Sequence, residues 1–113
     1  MDTLEVLRSA REYIADGTRW VQGSMGDDGN YCAVGACFFV SDGWGHGDGW
    51  AVAQDVWAIL NRAAGETTPH GSVQRVNDEM GHTAVLAVMD RAIAIEEAKA
   101  AEFTTTTREP VYA

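Results

Sequence analysis

The stretch Tyr31-Cys32-Ala33-Val34-Gly35-Ala36-Cys37-Phe38-Phe39-Val40 decides the fold. It is the longest apolar run in the chain, and a run of this length suits either a buried strand or a buried helix. Phe38, Phe39 and Val40 favour the strand. Ala33, Gly35 and Ala36 favour a tightly packed helix with Asn30 as its cap, and we read a helix. Gly35 costs such a helix roughly 1 kcal/mol relative to Ala, so close approach of a second helix is the expected compensation. Cys32 and Cys37 then lie about 140° apart around the axis, which strains or forbids a disulfide between them.

Outward on the N-terminal side, residues 18–30 read as a connection. Trp20 and Val21 suit a short extended piece; Gly23, Gly26, Asp27, Asp28, Gly29 and Asn30 are turn-formers. Before it lies a first helix. Asp2 and Glu5 have capping-box spacing, Leu4, Leu7 and Ile14 share a face, and Gly17 after Asp16 is a stop signal.

On the C-terminal side, Ser41 to Gly49 is a Gly/Asp loop carrying Trp44 and His46. Asp48 is placed to cap a helix from Gly49 or Trp50 to Ala64, ended by Gly65, with Ala53, Val56, Trp57, Leu60 and Ala64 on one face. Ser72 starts a short helix through Met80, with Val73 and Val76 inward, and Gly81 breaks it. Thr83 caps a last long helix reaching Lys99 or Phe103, with Val85, Leu86, Met89, Ala92 and Ile93 along its stripe. The fold expected is all-α: an irregular or orthogonal bundle of four to five helices with Gly-rich loops. It forms one small domain over residues 1–103, followed by a disordered Thr-rich tail over 104–113.

Composition narrows the function. The chain has 113 residues and 46% hydrophobic content, enough for one domain whose core needs no metal or disulfide staple. Eight Lys and Arg face 17 Asp and Glu, a formal net charge of -9. Nucleic-acid and anionic-membrane binders need the opposite balance, so neither partner is expected; an acidic surface suits basic partners. No Lys or Arg falls between Arg19 and Arg62, the stretch that holds all four Trp and both Cys. Lys99 is the only Lys, and with abundant Ala, Gly and Asp this suggests a GC-rich genome. Asp2, Glu5, Arg8 and Arg11 interrupt any signal peptide, and the longest apolar run is far short of the roughly 20 residues that span a bilayer. A reduced cytoplasmic protein is the expectation.

The order of motifs carries a resemblance. A first helix is followed by Trp20-Val-Gln-Gly23, then Cys32-Ala-Val-Gly-Ala36, then Asn77-Asp78, then a helix with Val85 and Asp90-Arg-Ala92. In this it resembles the uncharacterised actinobacterial and actinophage family of the domain of unknown function 6197, over most of residues 4 to 93. It departs from that pattern at Val76, where the family often has an aromatic, and in the unusually Gly-rich loop from Ser41 to Gly49, which suits a specificity element. The resemblance implies no activity. It implies a setting: an actinobacterium or its phage, and an accessory or host-interaction role.

Candidate chemistry is sparse. Cys32 in the first turn of a helix is placed for thiol activation, with His46, His70 or His82 as base and Asn77 or Asp78 as orienting group. No spacing requires these to meet, and buried structural thiols are the plainer reading of both cysteines. Asn77-Asp78 more often caps or bends a helix than reacts. Asp42, His46 and Asp48 share one loop, and Asp27, Asp28 and Asn30 another, but neither has the ligand pattern of a calcium loop. No metal and no cofactor are expected. Trp57 sits at core spacing. Trp44 and Trp50 do not, and exposed Trp on a loop is an interface anchor.

The leading expectation is therefore a small acidic, non-enzymatic protein-binding module. It would contact its partner through Asp42, Trp44, His46, Asp48 and Trp50, and the partner would be a host protein if the gene is phage-borne. The alternatives are a hydrolase or transferase centred on Cys32, and an acidic nucleic-acid mimic. A Leu/Ile face on the first or last helix also suits a homodimer.

Overall fold

A computed structural model describes residues 1–45 and 47–108, with side chains to residue 102. His46 and residues 109–113 lie outside the described residues. The elements are α1 (Thr3–Ile14), β1 (Gly26–Asp27), β2 (Asn30–Tyr31), α2 (Ala33–Ser41), α3 (Asp48–Thr67), α4 (Val73–Arg75) and α5 (His82–Arg108). A 3-10 turn, Gly17–Arg19, follows α1, and α4 runs directly into a π-helical turn, Val76–Met80. Among the described residues this is an all-α bundle of five helices with one small hairpin. Helix α1 packs on α2, α3 and α5. Its buried residues Val6, Leu7, Ala10 and Ile14 meet Val34, Val56, Leu60, Val85, Val88 and Met89 in one core.

The first helix begins as its sequence dictates. The Asp2 carboxylate accepts from the Glu5 amide at 2.9 Å, and Glu5 returns the bond to the Asp2 N–H. Ser72 caps α4 by accepting from the Arg75 amide, and Asn61 on α3 accepts from the Val73 N–H at 2.9 Å.

The apolar stretch is a helix, as read, with different reasons for its details. Its cap is Cys32, not Asn30, because Asn30 pairs in the hairpin with Asp27. Gly35 is required by a backbone rather than by another helix. A Cβ there would lie 1.7 Å from the Met25 carbonyl oxygen, so the incoming chain runs directly over α2. That chain also accepts from the Cys32 N–H through the same carbonyl.

Other boundaries move for local reasons. Gly65 lies inside α3, which continues to Thr67. The Thr67 and Thr68 hydroxyls each donate at 2.8 Å to the carbonyls of Ala63 and Ala64, adding a second bond to carbonyls of the last turns. Gly47 occupies the cap position of α3, with Asp48 the first helical residue, where its charge still favours the positive helix end. Gly81, at φ 100°, takes the place expected of Thr83, and its carbonyl accepts from Val85. Helix α5 continues past Phe103 to Arg108; the rest of the expected tail lies outside the described residues. Among the described residues no helix is long and apolar enough to cross a membrane.

Candidate functional site

Two regions gather the residues singled out above. The first is polar, with a buried centre and an exposed rim at Gln22, Gly23 and Asp78. The Asn77 side chain is fully buried. Its Oδ1 accepts from the Trp20 indole N–H at 2.8 Å and from the Ala33 amide at 3.1 Å. Its Nδ2 donates to the Val21 carbonyl and to the Asp78 carboxylate, both at 3.0 Å. Asp78 also accepts from the Gly23 amide at 2.9 Å, and Gln22 donates to the carbonyls of Asn77 and Asp78. One buried amide thus ties the connection after α1, the start of α2 and the π-helical turn together. Asn77 can do so because a carboxamide offers two donors and an acceptor oxygen in one plane.

The thiol of Cys32 borders this node and is 1% exposed. Its sulfur accepts from the Gly35 amide at 3.3 Å and donates to the Gln74 amide oxygen at 3.4 Å. Burial pushes its pKa up, outweighing the pull of the helix-start amides of Gly35 and Val34. The thiolate fraction needed for nucleophilic attack is correspondingly small at neutral pH. Asn77 and Asp78 are near it, but His82 has another occupation. His82 Nε2 lies 2.6 Å from the Ile14 carbonyl oxygen, so that nitrogen carries the proton and donates to the end of α1. The His82 ring packs on Trp20, with centroids 5.0 Å apart. The amide of His70 is held by the Thr68 hydroxyl in the turn before α4.

The second region is aromatic and open. Tyr31 and Phe39 stack at 4.8 Å, Tyr13 packs on both, and Arg19 lies over the Tyr13 ring. The cluster continues from Tyr31 to Trp44 at 6.1 Å, from Trp44 to Phe38 at 5.3 Å, and from Phe38 to Trp57 edge-on. Phe39, Trp44 and Trp50 are 43%, 48% and 42% exposed, an unusual display of large apolar surface for a chain of this size. Trp44 and Trp50 line one hollow of about 320 Å3 with Met25, Phe38 and Trp57. Trp44 also lines a second, of about 430 Å3, with Asp27, Asp28 and Tyr31.

A family model described as a family of unknown function (DUF6197) matches residues 1–95. The chain belongs to this family. No curated protein and no solved structure matches it. Three of the motifs by which the chain resembles DUF6197 in sequence meet at one place in space; the fourth, Asp90-Arg-Ala92, lies elsewhere, where Asp90 pairs with Arg11. Trp20 to Gly23, Cys32 to Ala36 and Asn77-Asp78 are the three sides of the polar node.

Of the expected contact residues, Trp44 and Trp50 share a hollow, while Asp42 and Asp48 are exposed at the two ends of the loop and line neither. His46 lies outside the described residues. Sequence reasoning missed Met25, Tyr31, Phe38 and Phe39 as parts of this face, along with Asp27 and Asp28. The signal for the last two was present. Asp28-Gly29 is a hairpin turn dipeptide, and both residues adopt positive φ, 54° and 84°. Among the described residues no group of His, Cys, Asp and Glu is arranged to hold a metal.

Proposed function

We propose that this DUF6197 member is a non-enzymatic, cytoplasmic protein-binding module whose contact surface is the aromatic face around Trp44 and Trp50. The observation that carries the reading is the convergence of these two half-exposed Trp on one hollow, with Phe39 exposed farther along the same cluster, beyond Tyr31. Interface anchors are aromatic side chains of this kind, set around a hollow that a partner's side chain fills. The polar node offers no comparable opening, because its groups bond one another.

Charge bears on the partner. Arg8, Arg11, Arg75, Arg91 and Lys99 are matched with Glu97, Asp90, Glu79, Glu66 and Glu96 in ion pairs away from the aromatic face. A basic partner is the complement of what is left. An accessory protein that modulates a host protein, whether encoded by an actinobacterium or its phage, fits that description. The same ion pairs speak against a nucleic-acid mimic, since they consume carboxylates such a mimic would have to display.

The test is affinity capture from an actinobacterial lysate with the parent and with the W44A/W50A variant, followed by reconstitution of any complex from purified components. A partner bound by the parent and lost by the variant, with helical circular dichroism intact, supports the reading. Equal binding by both removes it.

A further inference from the structure

The two hollows of the aromatic face differ in chemistry and share a wall. Both include Met25 and Trp44, so they are adjacent. The first is completed by Phe38, Trp50, Trp57 and two glycines, with no ionisable group among the described residues. The second is completed by Tyr31 and the turn Ser24 to Gly29, which brings Asp27 and Asp28. Neither carboxylate takes part in an ion pair among the described side chains.

The acidic turn is rigid. Its positive-φ residues suit a tight hairpin between β1 and β2. The Tyr13 hydroxyl donates to the Gly29 carbonyl at 2.7 Å. The Tyr31 ring lies on Gly26 so closely that a Cβ there would approach it to 2.7 Å. A preorganised turn presents charge without the entropy of ordering it on binding. Two carboxylates in a hollow walled by Trp44, which is 48% exposed, favour a cation, and guanidinium in particular, which both stacks on an aromatic ring and pairs with carboxylate.

We infer that this face reads a two-part motif: an apolar side chain in the Trp44–Trp50 hollow, next to an arginine or lysine in the hollow of Trp44, Tyr31, Asp27 and Asp28. The inference rests on the binding-module reading and specifies the chemistry of its partner. Trp44, which lines both hollows, couples the two preferences.

The experiment uses the isotope-labelled full chain and three capped dipeptides as probes: leucyl-arginine, leucyl-glutamine and glycyl-arginine amides. Magnetic resonance follows the Trp44 and Trp50 indole signals and the amides of Asp27, Asp28 and Gly29. Leucyl-arginine moves both sets and binds about fivefold more tightly than either other probe. The D27N/D28N variant, whose Asn residues tolerate the turn, loses the arginine preference while leucine still moves the indoles. If leucyl-glutamine binds as well as leucyl-arginine, or the variant keeps the preference, the cationic half is overturned and the binding surface stands. If no probe moves the indoles, the two-part motif is overturned, while the binding-module reading is decided by the capture experiment.

Discussion

The Asn77 node and the Trp44 face draw on neighbouring stretches of the same chain and end in opposite states. At the node, Trp20, Cys32, Asn77 and Asp78 bond to groups inside the fold. At the face, Phe39, Trp44 and Trp50 leave nearly half their surface to water, and Asp27 and Asp28 make no ion pair among the described residues. A buried polar network that is fully satisfied holds an architecture in one arrangement. Exposed apolar area with rigid support is surface held ready for something else. Three of the motifs by which the chain resembles DUF6197 sit in the first state.

The largest expected effect breaks the node. N77A leaves the Trp20 indole, the Ala33 amide and the Val21 carbonyl without their partner and should cost about 4 kcal/mol in urea unfolding. A loss below about 1 kcal/mol would mean that water replaces the amide and that the node is not what organises the fold. Next is the place where the two regions touch, Met25 over α2. G35A gains roughly 1 kcal/mol in helix propensity and still loses about 3 kcal/mol net, since the new methyl meets backbone that cannot swing aside. Stability equal to the parent would show that the connection is free to lift.

The face should behave in the reverse manner. W44A and W50A each cost about 1 kcal/mol or less, while abolishing capture of the partner; a large loss of stability would return Trp44 to the core and merge the two regions. The smallest effect is at alkaline pH. Burial pushes both thiols above their ordinary value of 9.0, so the folded chain keeps protons that the unfolded chain sheds. This contribution is complete below about pH 9 and is lost as pH rises beyond it. The urea midpoint should hold up to about pH 9 and fall between about pH 9 and pH 11, and native Cys32 should alkylate far more slowly than a free thiol. Rapid alkylation near neutral pH would instead return attention to Cys32 as a nucleophile.

What could be read from the sequence was local, and what could not was long-range. The capping box of α1, the helix over the apolar stretch and the Ser72 start depend on residues within one or two turns, and each is as expected. Asn77 read locally as a cap or a bend, because the partners of its side chain in other elements lie 44 to 57 positions away. Gly35 announced a close approach without naming the visitor. Cap positions slipped where another bond displaced the preferred residue, as the Thr67 and Thr68 hydroxyls did beyond Gly65. The hairpin was legible in Asp28-Gly29 and was submerged in a run of turn-formers. Trp44 and Trp50 stood out by composition, whereas Asp27 and Asp28 required the fold to bring them alongside.

The π-helical turn from Val76 to Met80 constrains the length of the chain at that point. Such a turn accommodates an extra residue within a helix, and here its first two residues, Val76 and Asn77, are both fully buried. Deleting one residue between Arg75 and Gly81 would rewind the turn and rotate α4 by about 100° against α5. Asn77 would then leave the indole of Trp20 while α5 stayed on α1. In an alignment of relatives that share this architecture, the interval from Ser72 to Gly81 should keep a constant length and retain Asn77.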